Sequence, residues 1–163
     1  MSDLNRRDFV ALAALTIAGS CAMCGTALAE EEGGTKADSK KEYPAAEVDC
    51  GSADDYKKDG VYDKFAKSNG VMLIAHETKL IALSTKCTHK NCNVAKKEDT
   101  IACRCHGSKF DEQGKPTKGP AKAALFRYPI KKDDKGNVIV TADKTKIIGE
   151  KEWDKEGSFL KLA

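Results

Sequence analysis

Histidine, aromatic side chains and arginine are all scarce in this 163-residue chain: three histidines, 6% Phe, Trp and Tyr, and beyond residue 30 only Arg104 and Arg127 among many lysines. Three histidines limit how many imidazole-dependent sites can exist, so two separate centres that each need two histidines, as a complete oxygenase with an additional two-histidine, one-carboxylate site would, cannot both be built from this chain. The lysines are scattered as pairs starting at Lys40, Lys57, Lys96 and Lys131, with no basic stripe and no interleaved aromatics. Phosphate tracking needs both, so nucleic acid is excluded as a partner, and the lysines read as a solvated surface that weakly steers acidic partners. No internal repeat is present, and no long segment after residue 42 has a 3.6-residue apolar period, apart from a turn or two between Ala53 and Ser68. The length allows one modest domain, with 40% hydrophobic and 33% charged residues.

What the chain does have is seven cysteines, a high count for a reducing compartment. Its first residues read as an address. Adjacent Arg6 and Arg7 precede Phe9 and an uncharged run from Val10 to Ala29 that ends in Ala27-Leu28-Ala29. This resembles a twin-arginine export signal, with cleavage expected before Glu30. The run is also long enough to cross a bilayer, so an uncleaved membrane anchor is the competing expectation for residues 1–29. Residues 30–42 are charged and Gly-containing with little to bury, and read as a flexible linker. The folded domain is expected over residues 43–163.

Within it, short apolar runs alternate with turns. Val71 to Ala75 and Leu80 to Ser84 flank a hairpin at His76 to Lys79, and Leu125 to Lys131 with Val138 to Thr141 flank a second turn containing Asp134, Gly136 and Asn137. Ile101-Ala102 and Phe110 are brief apolar steps between loops. The pattern predicts an antiparallel all-β domain.

Two loops carry the chemistry: Cys87-Thr88-His89-Lys90-Asn91-Cys92 and Cys103-Arg104-Cys105-His106-Gly107-Ser108. In outline they give Cys-x-His, thirteen intervening residues, and Cys-x-x-His, with one more cysteine in each loop. Read from residue types alone, a zinc site of Cys87, His89, Cys103 and His106 is an alternative, but it leaves Cys92 and Cys105 without a task. A pure disulfide scaffold leaves both histidines idle. The CTHxxC and CxCHGS boxes resemble the Rieske iron–sulfur family in its disulfide-containing form, over about residues 70 to 142.

That resemblance implies a Rieske-type β-sandwich or barrel with a small two-loop subdomain holding one [2Fe-2S] cluster. It assigns Cys87 and Cys103 to the inner iron, His89 and His106 to the outer iron, and Cys92 with Cys105 to a disulfide joining the loops. Two ferric ions, two sulfides and two thiolates sum to zero charge, so an electron is added more easily than in an all-thiolate cluster. Family potentials accordingly run from roughly −150 to +300 mV, against about −400 mV for plant-type ferredoxins. Ser108 matches a serine that donates to a bridging sulfide. Phe110 stands where high-potential members have a hydroxyl-bearing tyrosine, which predicts a potential below the top of the family range. Gly119 and Pro120 look like the loop that shields the cluster from water.

The functional expectation is an electron carrier without substrate chemistry of its own, exported to the periplasm or the outer face of the membrane. It would be the iron–sulfur subunit of a respiratory oxidoreductase of the cytochrome bc type or the arsenite-oxidase type, with a cytochrome b or c or a molybdopterin subunit as redox partner. A free extracytoplasmic shuttle is the alternative. Lys90 and Asn91 replace an apolar-Gly pair common where quinol docks, which weakens the quinol-oxidising reading. Of the other single residues, His76 is expected to be exposed at a turn, Trp153 to be packing, and Cys50, left over once the loops use four cysteines, to be a partly buried thiol.

Overall fold

The computed structural model describes residues 43–98 and 100–162; the export segment and linker expected over residues 1–42 lie outside the described residues. Among the described residues twelve strands form three antiparallel sheets, in agreement with the all-β expectation. Its middle layer is built from the two apolar runs. Strand β3 (Val71–His76) pairs with β4 (Lys79–Ser84) across a two-residue turn, tighter than the sequence suggested, because His76 and Lys79 themselves pair and Glu77 takes the left-handed conformation, φ 57°. Strands β2 (Gly60–Tyr62), β9 (Arg127–Tyr128) and β12 (Leu160–Lys161) complete this sheet.

Side chains alternate across a strand, and here both faces of β3 and β4 are covered. Val71, Leu73, Ala75, Leu80 and Ala82 face a first core, shared with β1 (Ala46–Ser52), β10 (Ile130–Lys132) and β11 (Asn137–Ala142). Met72, Ile74, Ile81 and Leu83 face a second core, shared with β5 (Val94–Lys97), β6 (Thr100–Cys103) and β7 (Lys109–Phe110). Double coverage is why VMLIA and LIALS read as unbroken apolar runs, whereas one-sided β11 alternates strictly between buried and half-buried positions. Each large aliphatic chain so buried contributes about 1.5–3 kcal/mol.

The third sheet, β5-β6-β7-β8 with β8 at Pro116–Lys118, is the lobe that carries the loops. Elsewhere the sequence reading was too coarse. The helical turn expected between Ala53 and Ser68 is a 3-10 segment at Ala53–Tyr56 followed by β2, and the strand expected from Leu125 to Lys131 is split at Pro129, which has no N–H for a ladder.

Trp153 is packing, as expected, and its ring supports the guanidinium of Arg127 at 3.9 Å. Burial pushes the Arg127 pKa down to about 10, against the opposing pull of Asp154 and Asp111, so the group stays charged at neutral pH. Cys50 is buried more completely than expected, and burial pushes its thiol up to about 12, leaving it protonated and inert. His76 is exposed and faces Glu112 at 3.0 Å. Among the described residues no helix is long and apolar enough to cross a membrane.

Candidate metal centre

Strand β4 runs through Ser84 and Thr85 into the first loop, and β6 ends at Cys103, where the second begins. Both loops are the same turn built twice. In the first, the Cys87 N–H donates to the Cys92 carbonyl at 2.8 Å and the Asn91 N–H to the Cys87 carbonyl at 2.9 Å. In the second, the Cys103 N–H donates to the Ser108 carbonyl at 2.8 Å and the Gly107 N–H to the Cys103 carbonyl at 3.0 Å. The fourth residue after each leading cysteine is left-handed, Asn91 at φ 54° and Gly107 at φ 73°. Glycine adopts that region freely and asparagine tolerates it, which accounts for both residue types. In this register His89 occupies the turn position of Cys105, and Cys92 that of Ser108.

The turns place sulfur inside and nitrogen outside. Cys87 and Cys103 are buried, at 0% and 3% exposure, whereas His89 is half-buried and His106 exposed. The two imidazoles meet edge to face with ring centroids 4.8 Å apart. Burial pushes the Cys87 thiol up; contact with the Cys103 thiol adds to this, while hydrogen bonds from the His89 backbone N–H and the Ser108 hydroxyl pull it back. Burial, with His106 and Lys90 nearby, pushes the His89 pKa down, favouring the neutral imidazole that a metal requires.

Cys92 and Cys105 are joined in a disulfide, the pairing the resemblance implied. The sulfurs of Cys92, Cys103 and Cys105 lie within 4.8 Å of one another, but the bridge consumes two of them, so only Cys103 keeps a thiol for a metal.

Whether this donor set suits a mixed cysteine–histidine cluster is answered by one atom. Nδ1 of His89 is shut off from solvent and has no hydrogen-bond partner among the described residues. A buried nitrogen without a partner costs about 1–3 kcal/mol, and coordination to a metal removes that cost. The thiols wait on the inner side in the same pair of loops, so the residues fit.

Ser108 is completely buried, and its oxygen accepts the Ala121 N–H at 3.0 Å while its hydroxyl points to the Cys87 sulfur. Phe110 is completely buried in the lobe's core, paired with Ile101. Gly119 and Pro120 are exposed beside Ala121, and one residue past Lys122 the Ala123 carbonyl accepts the Thr88 hydroxyl at 2.6 Å. Sequence reasoning missed the hydrogen bond of Thr88 and the left-handed turn role of Asn91. Thr88 stands inside the CTH box, and the Asn91–Gly107 equivalence was available from aligning the two loops on their leading cysteines.

An all-β scaffold presenting two such loops, with thiols within and imidazoles at the surface, defines a small iron–sulfur protein. A family model described as "Rieske [2Fe-2S] domain" matches residues 46–129, and the chain belongs to that family, whose cofactor is one [2Fe-2S] cluster. The cytochrome b6-f complex iron-sulfur subunit of Chlorobaculum tepidum is 40% identical over 73 residues, covering 44% of this chain and 40% of that protein. The cytochrome bc1 complex Rieske iron-sulfur subunit of Corynebacterium glutamicum is 35% identical over 86 residues, covering 50% of this chain and 21% of that protein. The chain thus spans well under half the length of these curated relatives. Among solved structures, the plasma membrane Rieske protein of Synechocystis PCC 6803 is similar at 25% identity with a TM-score of 0.42, covering 57% of this chain and 97% of that one.

Proposed function

We propose that the domain, residues 43–163, transfers single electrons through a [2Fe-2S] cluster held by Cys87 and Cys103 at one iron and by His89 and His106 at the other. The observation that carries this assignment is the orphaned, buried Nδ1 of His89, beside His106 and in the same loops as two buried thiols. When bound, such a cluster takes up and gives back one electron without making or breaking bonds in a substrate. The chain's own residues do the rest. The buried thiols and the completely covered Ser108 keep water from the inner side, and the exposed His106 edge shortens the path to a partner. Ser108 supplies a hydroxyl donor, and Phe110, Gly119 and Pro120 complete the surroundings that tune the potential.

The chain works as the iron–sulfur subunit of a membrane-associated respiratory oxidoreductase, exported by the twin-arginine route and retained by its leader or released after cleavage. Its relatives in cytochrome b6-f and bc1 complexes support the bc-type assignment. A molybdopterin partner of the arsenite-oxidase type rests on the disulfide-containing loop pattern, and direct quinol contact is the weakest element, given Lys90 and Asn91 at the tip. The test is metal analysis and low-temperature EPR of the native protein. The expected result is iron in the amount of one [2Fe-2S] cluster per chain and a rhombic low-g signal after dithionite, lost in Cys103→Ser. Colourless, zinc-filled protein would overturn the assignment.

A further inference from the structure

Charge is distributed unevenly over this molecule. Residues 86–126 carry nine Lys and Arg against four Asp and Glu, a net +5, whereas the whole chain is +3, so everything outside this segment sums to −2. The three loops around the imidazoles are more extreme. Residues 86–93, 103–109 and 118–126 hold six cations and no carboxylate.

Five of these cations are exposed, and three of the five, one from each loop, lie nearest in sequence to the imidazoles or are tied to their loops. Lys90 adjoins His89, and Arg104 lies two residues before His106. Lys122 is held between Ala121, whose N–H bonds to Ser108, and Ala123, whose carbonyl bonds to Thr88. None of the three is in an ion pair within the described residues. On the first loop's side the surface sinks into a cleft of about 400 Å³ lined by Lys86, Lys90, Asn91, Lys144, Phe126 and Ile147. Phe126, 40% exposed, is the one large apolar side chain exposed to this degree among the described residues.

Like charges gathered without counter-charges repel one another, and the fold makes no use of these three. A neutral quinol gains nothing from them. A protein surface rich in carboxylates does, because complementary potentials speed encounter and orient it, and an apolar contact inside a polar rim holds the complex briefly. We propose that the cationic rim of Lys90, Arg104 and Lys122, with the Phe126 cleft beside it, is the docking face for a soluble redox protein whose cofactor edge is ringed by Asp and Glu. This rests on the electron-transfer reading above and names the partner's chemistry. The same cations turn away basic carriers.

Stopped-flow oxidation of the dithionite-reduced, cluster-loaded protein tests it, using an acidic and a basic c-type cytochrome of matched potential over a series of ionic strengths. The acidic cytochrome should react faster, with a rate that falls as salt rises, since charges more than about 8 Å apart are largely screened at physiological ionic strength. Lys90→Gln with Lys122→Gln should lower its low-salt rate about tenfold and flatten the salt dependence, steering of this kind contributing roughly ten- to a thousandfold. Lys135→Gln, which removes a charge from the β10–β11 turn, should leave both unchanged. Equal rates with the two cytochromes, or rates indifferent to salt, would overturn the docking face while the EPR signal still upheld the cluster. Flotation with phosphatidylglycerol vesicles, abolished by the double substitution and accompanied by no preference between cytochromes, would assign the face to a membrane and overturn the proposal equally.

Discussion

On the proposed cluster assignment, two side chains would set how strongly the centre holds its electron, and they would act in opposite senses. Ser108 presents a hydroxyl to the Cys87 sulfur, and it is pinned there because its oxygen also accepts the Ala121 N–H. A donor aimed at sulfur stabilises the more negative, reduced form. A hydrogen bond to a charged group is worth about 1.5–3 kcal/mol, which for a one-electron couple corresponds to roughly 60–130 mV. Redox titration of Ser108→Ala should therefore give a potential lower by tens of millivolts, up to about that range. Phe110 lacks such a hydroxyl and is completely buried in the lobe's core. Phe110→Tyr should raise the potential by a similar amount, and an unchanged value would remove the missing donor as the reason for a moderate potential. Both variants keep the thiols and imidazoles, so their EPR signals should remain.

At the level of elements, the two loops are one turn used twice, and Asn91 and Gly107 hold equivalent left-handed positions. An L side chain without a local hydrogen bond pays about 1–2 kcal/mol there. Asn91→Ala should lower the denaturant midpoint by about that free energy with an unchanged slope, and Asn91→Gly should restore or exceed the original midpoint. A midpoint unmoved by Asn91→Ala would mean that the turn relaxes to another conformation. This repeat was partly legible in the sequence, where the family resemblance of CTHKNC and CRCHGS implied the ligand set and the Cys92–Cys105 pairing. The hairpin of β3 and β4 was legible too, because a strand covered on both faces is apolar at every position. Strands β1, β2, β5, β8 and β12 were not. Each is short or carries several exposed positions, with residues such as Asp49, Lys96 and Thr117 on solvent faces, so its β character comes from the partner strand rather than from its own composition. The His89–His106 contact was equally out of reach, since it depends on how the two turns face each other rather than on spacing within either.

Over the whole molecule, the middle sheet separates two cores with different dependencies. Among the described residues, the core between the β1-β11-β10 sheet and the β3–β4 pair contains no cysteine except inert Cys50, and it is closed by backbone ladders and by aliphatic and aromatic packing, Tyr56 and Tyr128 included. The core on the other face includes Cys87, Cys92 and Cys103, with Cys105 packed against it, so its edge is the centre itself. The Cys92–Cys105 bridge, at a sequence separation of 13, closes a short chain loop that a reduced chain would have to order at its own entropic cost, about 3 kcal/mol for a loop of this size. That cost falls on the lobe and not on the sandwich beneath it. Replacing both cysteines by serine should therefore leave the far-UV circular dichroism of a β protein intact, while the visible colour bleaches faster and its loss precedes unfolding of the sandwich on heating. A double variant that kept its colour until the whole chain unfolded would show that the lobe is held by β5–β8 packing alone. One that lost its β signal together with its colour would show instead that the two cores stand or fall as one cooperative unit.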